Sequence, residues 1–319
     1  MVRQLSLLLA ASVFAACASS RSAFRREDPL KSARESFEAR EYRKALDLLP
    51  DEGFVKLPRR VRAEAYHLKG LSYERAGQGE KALQIYQLAV GLYPKDLKLL
   101  TNLGNILNRV GLPERARPHF EEVLRIHPNN AGAHLGLGDI FRRLGFLQKA
   151  IFHYEKTLEH WPDNPDIWRR YAEALSDAGQ YGAAVNAAKK SLSFRRDTQG
   201  LAVLARNERL GGDAQEGYAQ FDDALALTPE DASLLLEKSL WLLEDGRLSD
   251  AKGLAENVIA RTPEQPLAHW ITGAISARNG DLKTARDSFK ISAAAAVTHP
   301  FIASAARAML KELSAAKQP

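Results

Sequence analysis

The eight histidines, at 67, 119, 127, 134, 153, 160, 269 and 299, are the side chains best suited to acid–base chemistry or metal ligation at neutral pH. A helix offers two of them to one ion when they stand four apart, and neither His-x-x-x-His nor His-Glu-x-x-His occurs. Lone histidines without that spacing belong in packing or at the surface. The paired acids Glu121-Glu122 and Asp222-Asp223 fall in helical patterns, where solvated charge is the ordinary role. Gly136-Leu137-Gly138 could begin a dinucleotide-binding turn, but no strand pattern precedes it, and there is no Gly-Lys-Ser or Gly-Lys-Thr phosphate loop. With no nucleophile and base, no converging carboxylates and no ligand cluster, neither enzymatic activity nor a cofactor or metal is expected.

The one cysteine, Cys17, leaves no internal disulfide and no cysteine-based zinc site. Its position suggests another chemistry. After Arg3, the stretch from Leu5 to Ala16 is apolar except for Ser6 and Ser12, the layout of a secretory signal peptide. It is shorter than the ~20 apolar residues that span a bilayer. Phe14-Ala15-Ala16-Cys17 resembles the lipobox of bacterial lipoproteins, with Phe14 where Leu is usual. The resemblance implies cleavage before Cys17, a diacylglycerol on its thiol and an acyl group on its new amine. The membrane would then be a partner through this lipid, and Ala18, where retained inner-membrane lipoproteins carry Asp, implies the periplasmic face of the outer membrane. The same residues also fit a secreted protein cleaved after Ala16 or Ala18, or a chain with no address. Residues 1–16 thus read as the signal peptide and 17–28, Ser-rich with Arg21, Arg25 and Arg26, as a tether.

The elements that follow keep a fixed measure. Glycines stand at 77, 111, 145 and 179, then at 212, 246 and 280; prolines stand at 94, 128 and 162, then at 229 and 263. The period is 34 residues, with one residue missing after Gly179. Seven units starting at 63, 97, 131, 165, 198, 232 and 266 align their eighth place as Gly70, Gly104, Gly138, Ala172, Ala205, Ser239 and Gly273. The twentieth place is Ala or Gly throughout, and the twenty-fourth is aromatic in five units, Tyr86, Phe120, Tyr154, Phe221 and Phe289, with Ala188 and Ala255 as exceptions. Small residues on facing helices allow close approach, with bulk beside them. Glycine at the fifteenth place ends a first helix in the left-handed conformation, and proline at the thirty-second stops a second.

These places resemble the tetratricopeptide repeat over about 235 residues. The resemblance implies an all-α, right-handed superhelical solenoid of helix-turn-helix units that binds other proteins. Single pairs of helices cannot bury their apolar stripe, so three or more must stack. Residues 29–62 read as a degenerate N-terminal unit and a break, 63–299 as the seven units, and 300–319 as a C-terminal capping helix and tail. Pro118 falls inside a second helix.

In that family the first helix of each unit lines a concave groove. The groove places hold Lys98, Asn102, Asn105, Asn108 and Arg109 in unit two, Arg142 and Arg143 in unit three, Arg169 and Arg170 in unit four, and Arg206 and Arg209 in unit five. Amides three apart can both donate to and accept from an extended backbone, and arginines favour carboxylates. In units six and seven the same places are apolar, Leu236, Leu240, Leu243, Leu267 and Trp270. Either a partner helix or the terminal helix, with Phe301, Ile302, Ala305, Met309 and Leu310, would cover them; the adjacency of the terminal helix favours self-covering.

The net charge of +6 is spread among acids in nearly every segment, without the aromatic–basic interleaving of a nucleic-acid groove, so nucleic acid is not an expected partner. The expected partners are other envelope proteins. The expected role is a lipid-anchored scaffold, for which type IV pilus secretin assembly leads over peptidoglycan or polysaccharide-export adaptors. A soluble adaptor without the lipid is the alternative.

Overall fold

In the computed structural model, which describes residues 30–54 and 56–315, every regular element is a helix. The segment ahead of the repeats holds α1 (Lys31–Glu38), α2 (Tyr42–Asp47) and α3 (Asp51–Phe54). Six helices carry the chain on: α4 (Arg59–Arg75), α5 (Gly79–Leu92), α6 (Leu97–Arg109), α7 (Pro113–Ile126), α8 (Ala131–Arg143) and α9 (Leu147–Leu158). The second half holds α10 (Pro165–Asp177), α11 (Tyr181–Phe194), α12 (Thr198–Leu210), α13 (Ala214–Leu227), α14 (Ala232–Glu244) and α15 (Leu248–Arg261). It closes with α16 (Pro266–Arg278), α17 (Leu282–Ala294) and α18 (Pro300–Ala315). The chain divides into two units, up to Thr157 and from Leu158 onward. The signal-peptide and tether expectations, Cys17 included, lie outside the described residues, as do positions 316–319.

Punctuation in the sequence fixes where helices begin and end. Before α6, α8, α10, α12 and α14 stand Asp96, Asn130, Asn164, Asp197 and Asp231, and each side chain accepts from backbone N–H groups of the first turn. Such caps satisfy donors that the helix leaves open, each contributing ~1 kcal/mol. At the other end Gly145 has φ +78°, and the N–H of Phe146 reaches back to the carbonyl of Phe141 at 2.8 Å. The other six fifteenth-place glycines also have positive φ, so each first helix ends the same way.

Helices pair within a repeat, α6 with α7 or α12 with α13, and first helices lie on first helices of the next repeat, α4 on α6, α6 on α8, α10 on α12 and α14 on α16. The eighth and twenty-fourth places make this packing. A Cβ placed on Gly104 would sit 2.7 Å from the Phe120 ring, and one on Gly70 2.4 Å from that of Tyr86. Both rings are fully buried, and burial of each contributes ~1.5–3 kcal/mol. In the unit that carries Ala255 in place of the aromatic, the Ser239 hydroxyl donates to the Ala251 carbonyl at 2.6 Å.

Pro118 lies inside α7 as expected, on its exposed side. α4 begins at Arg59, one turn ahead of position 63, directly after Pro58, whose ψ of 147° keeps it outside the helix.

Candidate functional site

In the first unit the amides of α6 fall along a gradient of exposure. Lys98 and Asn105 are exposed, Asn102 is half-buried and Asn108 is buried. Nδ2 of Asn102 and Oδ1 of Asn108 are both shielded from solvent and lack a hydrogen-bond partner. The Asn108 main chain is engaged, since its carbonyl accepts from Nη1 of Arg143 at 2.6 Å. Arg109 pairs with Glu74 of α4, and Arg142 is half-buried on α8.

In the second unit α10, α12 and α14 set their charges against one another across a cleft of about 350 Å³. Arg169 donates to Glu173 at 2.7 Å, and its Nε is shielded with no partner. Arg170 is half-buried beside it. Arg206 takes both carboxylate oxygens of Glu237 in a two-pronged pair, one contact at 2.8 Å. Arg209 donates to Asp245 at 2.9 and 3.0 Å and to Glu244 at 3.0 Å, and its guanidinium lies 4.9 Å from the Trp241 ring centre. Tyr218 joins this group through Asp245 at 2.7 Å; burial, then that hydrogen bond, pushes its hydroxyl up to about 12. The sequence leads one to expect arginines open to a partner's carboxylates. Arg109, Arg169, Arg206 and Arg209 instead meet carboxylates of this chain, and Arg143 meets a carbonyl.

The apolar places are packed, not open. Leu236 and Leu243 are buried, and Leu240, Leu267 and Trp270 join one core with Met309, Leu310, Ala306 and Leu313 of α18. The terminal helix joins this core by packing on α16 and α17; Met309 and Leu310 of the expected face are in contact and Ile302 is half-buried. Ala303, Ala306 and Leu313 are buried, whereas Phe301 is 89% exposed and Ala305 is also exposed. Alanines at the contact allow α18 to lie close on α17, and that phase turns Phe301 outward.

A second recurring contact escaped the reading of the sequence. Nε2 of His134 lies 3.0 Å from the Pro128 carbonyl, Nε1 of Trp168 2.6 Å from that of Pro162, and Nε2 of His269 2.6 Å from that of Pro263. A ring at the fourth place of one repeat thus pins the proline that ends the repeat before it. The signal was present as a ring N–H six residues after a thirty-second-place proline. His134 also shares an Nδ1···Nδ1 contact of 2.9 Å with His153, whose ring stacks on Phe141.

Among the described residues no three His, Cys, Asp or Glu side chains are placed to hold a metal, and no helix is long and apolar enough to cross a membrane. Models of the tetratricopeptide repeat match residues 63–96, 101–153, 142–206 and 242–300. No curated protein matches the chain. The fold is similar to a tetratricopeptide repeat protein of Parabacteroides merdae, with 20% identity and a TM-score of 0.64 over 79% of this chain and 98% of that one. It is also similar to PilW, a type IV pilus biogenesis factor, with 21% identity and a TM-score of 0.58 over 65% of this chain and 94% of that one. Family models over the repeats, left-handed glycines closing every first helix and aromatic rings against eighth-place glycines agree: this chain belongs to the tetratricopeptide-repeat family.

Proposed function

We propose that the chain is a non-enzymatic scaffold of the bacterial envelope, anchored through a lipid on Cys17, that takes a segment of another envelope protein against its first helices. The observation that carries this reading is the polar face of α6, where Lys98 and Asn105 are exposed beside Asn102, whose amide nitrogen is shielded and has no partner. An extended backbone offers donors and acceptors that match such amides in both directions. The arginines of the second unit are held by their own carboxylates, so a partner there exchanges ion pairs instead of finding bare charge. Among envelope pathways, pilus secretin assembly is favoured by the likeness in fold to PilW.

The test is crosslinking and tagged capture from membranes of the native organism. Wild type should fractionate with the outer membrane and hold a defined complex. Cys17→Ala should lose the fractionation, and Asn102→Ala with Asn105→Ala should lose the complex at an unchanged thermal midpoint. Capture that survives the double substitution would overturn the assignment of α6, and a soluble wild type would overturn the anchor.

A further inference from the structure

The C-terminal end carries apolar surface that the fold leaves without a partner. Val297 is 95% exposed, Phe301 is 89% exposed and Ile291, near the end of α17, is 44% exposed. Scattered surface hydrophobes need no account, but two large apolar side chains exposed this fully within four residues do. The backbone at the start of α18 is held in place. The His299 N–H is held by the Ala295 carbonyl at 2.8 Å, and the Ala303 N–H by that of His299 at 3.0 Å, which fixes the start of α18.

Next to this projection lies a hollow. A cleft of about 630 Å³ opens between Pro266 at the start of α16 and Ile291, Ala294 and Ala295 at the end of α17. Its lining also includes Glu264 and His299, the latter two residues from Phe301. An apolar projection thus stands near a cleft whose lining combines Pro266, Ile291, Ala294 and Ala295 with polar groups that include Glu264 and His299. A two-fold axis turns such a patch into its own complement, because each copy offers the projection that the other's cleft accepts.

We propose that this end is a self-association surface, in which Phe301 of one copy seats in the cleft of a second and the second returns the contact. Glu264 of each copy would then approach His299 of the other. A seated aromatic ring hides roughly 150–250 Å² of itself and about as much of the walls, so the reciprocal pair hides roughly 600–1,000 Å². That is below the ~1,200 Å² lower edge of standard specific interfaces, in the range of weak, transient contacts. The dimer is therefore reversible, and tethering copies to a common surface would favour it by raising their effective concentration. The proposal does not rest on the groove of the first helices.

Sedimentation velocity of the full chain in detergent, from roughly 1 µM to 1 mM, reads this directly. The weight-average sedimentation coefficient of wild type should rise with concentration toward that of a dimer. Phe301→Asp and Val297→Asp should each weaken association at least ~10-fold at an unchanged circular-dichroism melt, since both side chains are exposed, while Phe301→Leu should retain it. A wild type that stays monomeric throughout overturns the proposal, as does a dimer indifferent to Phe301→Asp. Flotation of the monomer with phosphatidylethanolamine–phosphatidylglycerol vesicles, lost in Phe301→Asp, would assign the patch to lipid and also overturn it.

Discussion

The guanidinium of Arg143 donates to the carbonyl oxygen of Asn108 at 2.6 Å, and the guanidinium of Arg278 repeats the contact on Leu243 at the same distance and the same 35-residue separation. Each arginine stands in the last turn of a first helix and reaches into the last turn of the first helix before it, where the helix dipole is negative, as a second donor beside the N–H of Gly111 on the Asn108 carbonyl (3.1 Å) and that of Gly246 on the Leu243 carbonyl (3.3 Å). A side chain read from sequence as facing a partner thereby holds neighbouring repeats in register.

Arg143→Ala and Arg278→Ala should accordingly each cost ~1–2 kcal/mol, as the loss of a charge-assisted hydrogen bond at a partly solvated site. Urea unfolding followed by circular dichroism measures this. An unchanged midpoint would mean that the contact contributes nothing to the stack and would return the arginines to a role in binding.

Gly104→Ala puts a methyl 2.7 Å from the Phe120 ring, and that ring also lies within 2.5 Å of a Cβ built on Gly136. The ring has no free side toward which to move. Overpacking of this kind costs ~1–3 kcal/mol, and Phe120→Leu in the same chain should recover part of it by making room. A Gly104→Ala variant as stable as wild type would show that α6 and α7 can separate without loss.

His153 is pushed down to about 4, chiefly by burial, with His134 and Lys149 adding to the effect. If Nε2 of His134 donates to the Pro128 carbonyl, its Nδ1 must accept from Nδ1–H of His153. The folded value lies below the ordinary ~6.5 of an unfolded histidine, so the unfolded chain binds the proton more readily. Stability contributed by neutral His153 is therefore whole above pH ~6.5 and declines as pH falls toward 4. His153→Ala should flatten the pH dependence of the urea midpoint in that window, and a wild-type imidazole titrating near 6.5 by NMR would refute the assignment.

The repeats were legible because their residues act locally. Glycine at the fifteenth place and proline at the thirty-second end helices by their own backbone preferences, and a small residue opposite an aromatic describes a contact within one repeat. Contacts between repeats were not legible in the same way. Whether Arg206 faces solvent or Glu237, 31 residues on, depends on the offset between stacked helices, which no single unit encodes. The last helix shows the same limit. Met309 and Leu310 pack as their apolar character suggests, but the ring of Phe301 suggests a contact that close packing gives instead to Ala303, Ala306 and Leu313.

Glu208 is the buried charge whose removal should help the fold. It is 5% exposed on α12; Lys189 lies 3.1 Å from Oε1, while Oε2 has no partner. Burial raises its carboxyl above the usual range, more than Lys189 lowers it, and Asp213 and Glu216 add to the rise. Because the folded value exceeds the unfolded one of ~4.3, the native chain binds the proton more readily, and stability grows as pH falls from neutrality toward that value. Glu208→Gln keeps the shape and an acceptor for Lys189 while removing the buried charge. Its urea midpoint at pH 7 should equal or exceed that of wild type, and the advantage should shrink on acidification to pH ~5. A variant less stable than wild type at pH 7, by a margin that acidification does not change, would mean that the ion pair with Lys189 outweighs the cost of burial.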